Sequence, residues 1–269
     1  MYTSTERLKR TPVLDKFEKE DMNPEGFGKG YVGRDYGAEP LGFARPQFPQ
    51  EFYVPSNEWI ERIEDLDANK AQVIDHRWER GFKSLDQGST NYCWCAGPTG
   101  GYHYLRAMAG LPHVDMSTAA VAAVVKNYRN VGAWAGDALQ YMEKYGSVPQ
   151  SLWPQAAIDR KYDTDQVRRT RDQYKVLESF DLPDKSFHAL VSSLLRGFPT
   201  TVGYQYWSHL VLAVGLTVHG SDPESDVGVI IQNSWSDNWK DRGTAVLMRE
   251  KATPDEAIAM RQVTPSEGE

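Results

Sequence analysis

The spacing of the apolar residues changes near residue 176 and divides the chain into two differently patterned parts. Before that point apolar positions recur at intervals of three and four, which predicts helices with Ser56 and Ser117 as N-caps. The β-branched pair Val73 and Ile74 interrupts this pattern and predicts a short strand that leads to Trp78. Helices are predicted over 56–68, 93–109, 117–128 and 137–145, and within 155–175.

Beyond residue 176, short runs with strand-like alternation dominate the chain. One helix, over 186–196, is predicted among them, and a short helix is expected after Thr253. The predicted strands are 176–180, 200–204, 210–218, 227–232 and 244–248. Helices followed by strands predict an α+β architecture with two segregated lobes.

The first 57 residues differ from the rest, because six prolines and six glycines interrupt any periodicity. Aromatic residues scattered among them are unusual for a flexible linker, so we expect an extended arm that lies on its own domain or on a partner. The remaining chain is divided into a main domain, 58–252, and an acidic tail, 253–269. Within the domain a helical lobe spans about 70–175 and a β-rich lobe about 176–250.

Composition narrows the choice of partners and compartments. The 269 residues carry a net charge of −7, which argues against nucleic acid as a partner. No window is apolar enough for a membrane span, and the first 20 residues lack the apolar centre of a secretory signal. Cys93 and Cys95 are too close in sequence to bridge each other. We therefore expect a protein that folds reduced, in the cytoplasm or in an assembly formed there, such as a virus particle.

The strongest chemical signal is the stretch 87–95, which contains both cysteines. A thiol becomes a strong nucleophile when a helix N-terminus and a neighbouring imidazolium stabilise its thiolate. Cys93 stands at a predicted helix start and His209 near a predicted strand start. Asn233, at a strand end, supplies an uncharged amide oxygen that can orient the imidazole.

These residues resemble the Cys, His and Asn of papain-like cysteine proteases, in the same order, over about residues 70–250. In this resemblance Gln87 is the oxyanion-hole glutamine, Trp94 is the aromatic residue after the nucleophile and Trp235 shields the His–Asn pair. The implied fold has a helical N-terminal lobe and an antiparallel β-barrel-like C-terminal lobe, with the active-site cleft between them.

The resemblance also implies substrate-binding positions. The weak match at 132–136 assigns backbone pairing with substrate to Ala135 and Gly136, and Ser208, before the histidine, is expected beside a specificity pocket. Trp94 and Trp235 complete this predicted substrate-binding set. Two departures stand out: Tyr92 replaces a small residue and is expected to crowd the cleft, and Gly97 with Pro98 disturbs the start of the nucleophile helix.

Two functions follow from these features. The first is a cysteine peptidase or related thiol hydrolase that cleaves peptide or isopeptide bonds in a protein or peptide substrate, with no cofactor and no metal. The second is a papain-like fold used as a structural subunit of a larger assembly, joined to a protein partner through residues 1–57. The arm has a third interpretation, an inhibitory pro-segment that crosses the cleft.

Overall fold

The computed structural model describes residues 11–14, 22, 24–38 and 47–265. The rest of the predicted arm and the last four residues of the predicted tail lie outside the described residues. The helices are α1 Trp59–Asn69, α2 Val73–Arg80, α3 Cys93–Met108, α4 Ala119–Val125, α5 Ala135–Lys144, α6 Asp165–Thr170 and α7 Phe187–Leu195. The strands are β1 Val176–Asp181, β2 Thr200–Tyr204, β3 His209–Val218, β4 Val227–Gln232, β5 Thr244–Met248 and β6 Glu256–Val263.

The six strands form one antiparallel sheet in the order β1-β6-β2-β3-β4-β5. The α+β fold is confirmed, but the predicted barrel-like lobe is an open sheet. Pieces of the N-terminal arm line both of its edges: Val13 bridges Val246 on β5, and Gln47 bridges Asp181 on β1. Because these bridges occupy backbone groups at the edge strands, the described arm lies on its own domain.

The helix α3 connects the two lobes, because one face packs in the helical lobe and another lies on the sheet. Its glycines explain how it does so. A Cβ at Gly97 would lie 2.5 Å from Leu210 of β3, and one at Gly101 would lie 2.5 Å from Met260 of β6. Glycine costs a helix about 1 kcal/mol relative to alanine. Here the glycines allow the helix that begins with Cys93 to lie close against the strands.

Most predicted elements are confirmed within a few residues. The α7 helix starts after Ser186, whose Oγ accepts the Ala189 N–H at 3.1 Å, and Ser117 Oγ accepts the Ala120 N–H at 3.2 Å. Ser56 makes no cap bond but begins a 3-10 turn, Ser56–Glu58, that leads into α1. The predicted partial helix over 155–175 consists of α6 and two 3-10 turns.

Two predicted elements are wrong. The strand predicted at 73–75 is the start of α2, because Gln72 and Asp75 form a reciprocal capping box that starts a helix. The helix predicted after Thr253 is instead β6, which pairs with β1 and β2. Pairing on both sides stabilises the extended form of a segment whose alanines and methionine favour a helix in isolation.

No helix within the described part of the chain combines the length and the apolar character that crossing a membrane requires.

Candidate active site

The imidazole of His209 is held by the ends of two neighbouring strands. His209 begins β3 and Asn233 directly follows β4, and His209 Nε2 lies 2.8 Å from Asn233 Oδ1. Asn233 Oδ1 also accepts the Ser234 N–H at 2.8 Å, which identifies it as the oxygen. A carbonyl oxygen only accepts, so Nε2 carries the proton of the neutral ring and Nδ1 is the basic nitrogen.

The Trp235 ring covers one face of this imidazole. The two centroids lie 4.4 Å apart with the planes 23° from parallel. The Asn233 N–H donates to the Gly243 carbonyl at 2.8 Å, so the backbone also fixes the orienting amide. Among the described residues, His209 Nδ1 has no hydrogen-bond partner. The ring is therefore oriented as a general base with its basic nitrogen unoccupied.

The Cys93 thiol is the first side chain of α3 and is fully buried. Burial raises the pKa of Cys93 to about 12. Four backbone N–H groups face the sulfur and oppose this shift only in part; they belong to Leu210, Gly30, Trp94 and Tyr31. The thiol is therefore neutral in this state, in contrast to the activated thiolate that the sequence predicts.

The amide of Gln87 is oriented by Ser234. The backbone N–H of Gln87 donates to the Ser234 carbonyl at 2.9 Å, and the side-chain oxygen Gln87 Oε1 accepts the Ser234 hydroxyl at 2.5 Å. The Nε2 group donates to the Thr90 carbonyl at 2.7 Å and to the Gly28 carbonyl at 3.0 Å. Gln87 thus presents a side-chain N–H to a carbonyl oxygen in the cleft, as an oxyanion-hole donor does.

That carbonyl belongs to a part of the arm, residues 27–32, that we call the cleft segment. The Gly28 N–H donates to the Gly88 carbonyl at 3.0 Å, and the Gly28 carbonyl also accepts Trp235 Nε1 at 3.3 Å. Phe27 packs against the Trp235 ring with centroids 5.8 Å apart. The first part of the cleft segment is therefore bound to the residues around Gln87 and Trp235.

The second part of the cleft segment pairs with the helical lobe. The Ala133 N–H donates to the Gly30 carbonyl at 2.8 Å, and the Val32 N–H donates to the Ala133 carbonyl at 2.9 Å. These bonds form a parallel bridge between Tyr31 and Ala133. The cleft segment therefore crosses directly over Cys93, with contacts on both sides of this residue.

The two glycines of the cleft segment fit against the wall before Cys93. A Cβ at Gly28 would lie 2.2 Å from the Thr90 carbonyl oxygen, and one at Gly30 would lie 2.0 Å from the Asn91 carbonyl oxygen. Residues two apart in an extended chain face the same side. The cleft is therefore so narrow here that only glycine fits at both positions without displacing backbone.

Lys29, between these glycines, interacts electrostatically with both catalytic candidates. Burial lowers the pKa of His209 to about 3; the Asn233 bond opposes this, and the Lys29 cation adds to it. Burial also lowers the pKa of Lys29, which the Cys93 side chain partly opposes. The occupied cleft thus holds Cys93 and His209 as a neutral thiol and a neutral imidazole.

The remaining predicted positions are distributed around this centre. Trp94 is fully buried in the helical lobe, where its Nε1 donates to the Val131 carbonyl at 3.3 Å. Ser208 is exposed and has a left-handed backbone, with φ of 50°. Ala135 and Gly136 begin α5, but the backbone pairing predicted for them occurs two residues earlier, at Ala133, and with the arm.

Tyr92 does not crowd the cleft as expected. Its side chain is fully buried in the helical-lobe core, where the hydroxyl donates to the Arg129 carbonyl at 3.0 Å. The backbone of Asn91 forms the cleft wall instead. Cys95 is a free, buried thiol whose Sγ lies 3.4 Å from the Thr118 carbonyl, consistent with a packing role.

The sequence suggested an arm across the cleft but did not single out residues 27–32 within it, nor Ala133 within the match at 132–136. It also did not identify Glu256, a buried carboxyl near Tyr31. One signal for the segment exists: glycines at 28 and 30, separated by a single residue, predict close approach to another backbone. Glu256 carries no such signal, because β6 was expected to be a tail. Across residues 11–14, 22, 24–38 and 47–265, no group of three or more His, Cys, Asp or Glu side chains is arranged to bind a metal.

No protein-family model matches the sequence, and no curated protein is similar to it. Solved structures are similar in fold. Xylellain, a cysteine protease from Xylella fastidiosa, superimposes with a TM-score of 0.61 at 16% identity, over 88% of this chain and 97% of that one. Procathepsin L 3 of Tenebrio molitor larval midgut superimposes with a TM-score of 0.56 at 20% identity, over 67% of this chain and 66% of that one.

The Amb a 11 cysteine protease, a ragweed pollen allergen solved in its proform, gives a TM-score of 0.55 at 15% identity, over 69% of this chain and 65% of that one. The chain thus spans slightly less than two thirds of the two pro-forms and nearly all of xylellain. At these identities the similarity concerns the fold alone, and it confirms the resemblance at that level. The chain therefore has the fold of the papain-like cysteine proteases.

Proposed function

We propose that this protein is a cysteine peptidase that cleaves peptide or isopeptide bonds with Cys93, His209, Asn233 and Gln87. The observation that carries the proposal is the His209–Asn233 pair under Trp235, in a fold shared with proteases, beside a thiol at a helix start. The sulfur of that thiol faces the N–H of Leu210, the residue after His209. The protease neighbours give no support to the alternative of a structural subunit.

In the proposed reaction, His209 Nδ1 takes the Cys93 thiol proton and the sulfur attacks the substrate carbonyl carbon. Gln87 Nε2 and the Cys93 N–H stabilise the oxyanion. His209 then returns the proton to the leaving amine as the carbon–nitrogen bond breaks, which leaves a thioester on Cys93. Water, deprotonated by His209, cleaves the thioester and regenerates the thiol. Asn233 keeps the imidazole oriented throughout.

We further propose that the enzyme is inactive in this state, because the cleft segment occupies the place of the substrate. The Gly28 carbonyl accepts the Gln87 amide, and the Gly30 and Tyr31 N–H groups face the thiol. The groups of the cleft segment that face the sulfur are thus N–H donors. The segment would therefore bind as an inhibitor, and activity requires that it leaves the cleft.

A full-length variant tests both parts of the proposal. The double substitution Gly28→Ala, Gly30→Ala adds methyl groups where the wall lies only 2.2 and 2.0 Å away, so the cleft segment must leave. We expect this variant to hydrolyse fluorescently labelled casein and the wild type to be nearly inactive. Gly37→Ala is the matched control, because its Cβ would meet only the Asp35 side chain, at 3.1 Å.

The variant's activity must disappear with Cys93→Ala and must remain in Cys95→Ser. An opened variant that is folded by circular dichroism yet cleaves neither casein nor its own chain would refute the peptidase proposal. Incorporation of that inert protein into a larger complex through residues 1–57 would favour the structural alternative.

A further inference from the structure

The loop between β4 and β5, residues 234–243, carries the tryptophan that covers His209, and we call it the tryptophan loop. Three of its residues have a left-handed backbone although none of them is glycine: Ser236 with φ of 61°, Lys240 with 46° and Arg242 with 48°. Such conformations are unfavourable for residues with a side chain and persist only where surrounding contacts hold the backbone. The shape of the tryptophan loop therefore depends on contacts with the rest of the domain.

Asp237 makes contacts of this kind. Its Oδ1 accepts a hydrogen bond from Arg77 Nη2 at 2.6 Å and another from the backbone N–H of Ser84 at 2.8 Å. The Arg77 side chain, on α2, is only 1% exposed, and its Nε donates to the Phe82 carbonyl at 3.0 Å. Hydrogen bonds between charged partners are stronger than those between neutral ones. One carboxylate thus joins α2, the segment that leads to Gln87 and the tryptophan loop.

Two backbone contacts next to this carboxylate connect the junction with the proposed active site. The Ser236 N–H donates to the Leu85 carbonyl at 3.0 Å, and Asp86 forms an antiparallel bridge with Trp235. The indole that lies over the imidazole is therefore aligned with the segment that ends at the oxyanion donor, Gln87.

The far end of the tryptophan loop supports the orienting amide. The Gly243 carbonyl accepts the Asn233 N–H at 2.8 Å. Gly243 also fits closely against Ser84, because a Cβ at this glycine would lie 2.0 Å from the Ser84 hydroxyl oxygen. Ser84 therefore contacts the tryptophan loop twice, at Asp237 and at Gly243, and the support of Asn233 depends on the same junction.

We propose that Asp237 is a positioning residue for the peptidase reaction, an inference that rests on the proposed function. Held by Arg77 and Ser84, it keeps Trp235 and Asn233 in place relative to Gln87. Asp237 acts through these groups and takes no part in the bond-breaking steps. Its loss should lower kcat far more than it raises KM, because the groups that it positions act in the transition state.

Glu178 offers a matched control for an ion pair that serves stability alone. Its carboxylate pairs with Arg261 at 2.9 Å, and its side chain is 31% exposed, against 32% for Asp237. This pair joins β1 and β6, at the opposite edge of the sheet from the tryptophan loop. Removal of Glu178 should therefore leave kcat of the folded protein unchanged.

The first measurement is the hydrolysis of labelled casein in the Gly28→Ala, Gly30→Ala background. Asp237→Leu removes the acceptor at similar volume and should lower kcat about 10²-fold, with KM changed by less than about threefold, because a displacement of about 1 Å is enough for such a loss. Asp237→Asn retains an acceptor oxygen and should restore kcat to within about fivefold of its parent. Glu178→Leu should match the parent.

The second measurement needs no catalysis and uses the full-length protein with its cleft segment in place. With ¹⁵N-labelled histidine, the proton on His209 Nε2 gives an NMR resonance that is assigned by its loss in His209→Phe. Asp237→Leu should shift this resonance and speed its exchange with water at least about tenfold, because the tryptophan cover loosens. Asp237→Asn and Glu178→Leu should leave the resonance at its wild-type position.

Asp237→Glu provides a second variant if Asp237→Leu does not fold. It keeps the charge beside Arg77, but its longer side chain moves the tryptophan loop away from Ser84, so the same changes are expected at smaller size. A wild-type His209 resonance in the folded Leu variant, or in the Glu variant where Leu does not fold, would overturn the positioning role.

The two measurements separate this inference from the proposed function. A shifted His209 resonance in a protein whose Gly28→Ala, Gly30→Ala form cleaves no casein refutes the peptidase and leaves the structural junction. Casein hydrolysis with an unchanged kcat in Asp237→Leu supports the peptidase and refutes the role of Asp237.

Discussion

The two walls of the cleft hold the proposed catalytic groups in different states. On the sheet wall, His209 already has its amide partner and its tryptophan cover, and its basic nitrogen is unoccupied. On the helical wall, Cys93 is buried as a neutral thiol whose neighbours include two N–H groups of the cleft segment. The groups of the sheet wall already have the arrangement that the proposed reaction needs, whereas the environment of Cys93 includes the segment that now occupies the cleft.

The difference follows from what fixes each group. The strands β3 and β4 fix His209 and Asn233 by pairing that does not involve the arm. The environment of the Cys93 thiol, in contrast, combines α3 with a removable segment. Under the proposed function, activation is therefore a change in what fills the cleft, without any rearrangement of the sheet.

The largest expected effect concerns the thiol. Gly30→Ala should displace the cleft segment and allow the pKa of Cys93 to fall from about 12 to the ordinary value near 8.5 or below. Iodoacetamide should then label Cys93 about 10³-fold faster at pH 8, as measured by peptide mapping that separates it from Cys95. Cys93 in the Gly37→Ala variant should be labelled at the wild-type rate. Equal rates in the wild type and both variants would contradict the proposal that the cleft segment blocks Cys93.

The next effect concerns the anchor of the arm. Arg34 and Asp181 form a buried ion pair with side chains 1% and 2% exposed. Arg34→Ala leaves Asp181 buried without its cation, which costs about 3 kcal/mol of unfolding free energy. Arg62→Ala removes an exposed pair with Glu58 and should cost under about 0.5 kcal/mol. Urea denaturation measures both, and similar losses would mean that the arm is not anchored here.

A smaller effect is expected on the assembled wall. Asn233→Ala, in the Gly28→Ala, Gly30→Ala background, removes the acceptor that orients His209 and should lower kcat/KM about 10²-fold. The exposed Asn238→Ala is the control and should leave casein hydrolysis unchanged. An Asn233 variant with full kcat/KM would show that strand pairing and Trp235 suffice to orient the imidazole.

The smallest effect concerns how the free energy of unfolding changes with pH. The pKa of Glu256 is raised by burial to about 8, above an unfolded value near 4.3. Its contribution to folding is therefore complete below about pH 4.3 and is lost as the pH rises through 8. Glu256→Gln should reduce the stability difference between pH 5 and pH 6.5 by about 2 kcal/mol in urea titrations. Unchanged pH dependence would mean that the carboxyl titrates normally.

The residues of the candidate active site were predictable because each lies in a short local sequence pattern. Cys93 and Gln87 share one nine-residue stretch, and Asn233 lies between a buried strand and Trp235. The helix α3 was also predictable, although its early glycines argued against it. Its conformation depends on the packing of those glycines against β3 and β6, which no local propensity contains.

What the sequence did not predict depends on pairing between distant segments. Ala133 meets the arm across about 100 residues, and Glu256 meets Tyr31 across 225. Neither contact leaves a local signature. The α2 helix was mistaken for a strand because Val73 and Ile74 were given more weight than the Gln72 cap, and β6 was missed because its neighbours in the sheet, not its composition, make it extended.

The position of β6 has a consequence for synthesis. This strand pairs between β1 and β2, so a chain growing on a ribosome cannot complete the sheet, or place Glu256, until residue 263 has emerged. The cleft segment, at residues 27–32, emerges long before it. Whenever the two walls come together during translation, the residues that cover Cys93 are already present. The cleft segment is thus available to cover the Cys93 thiol as soon as the cleft forms.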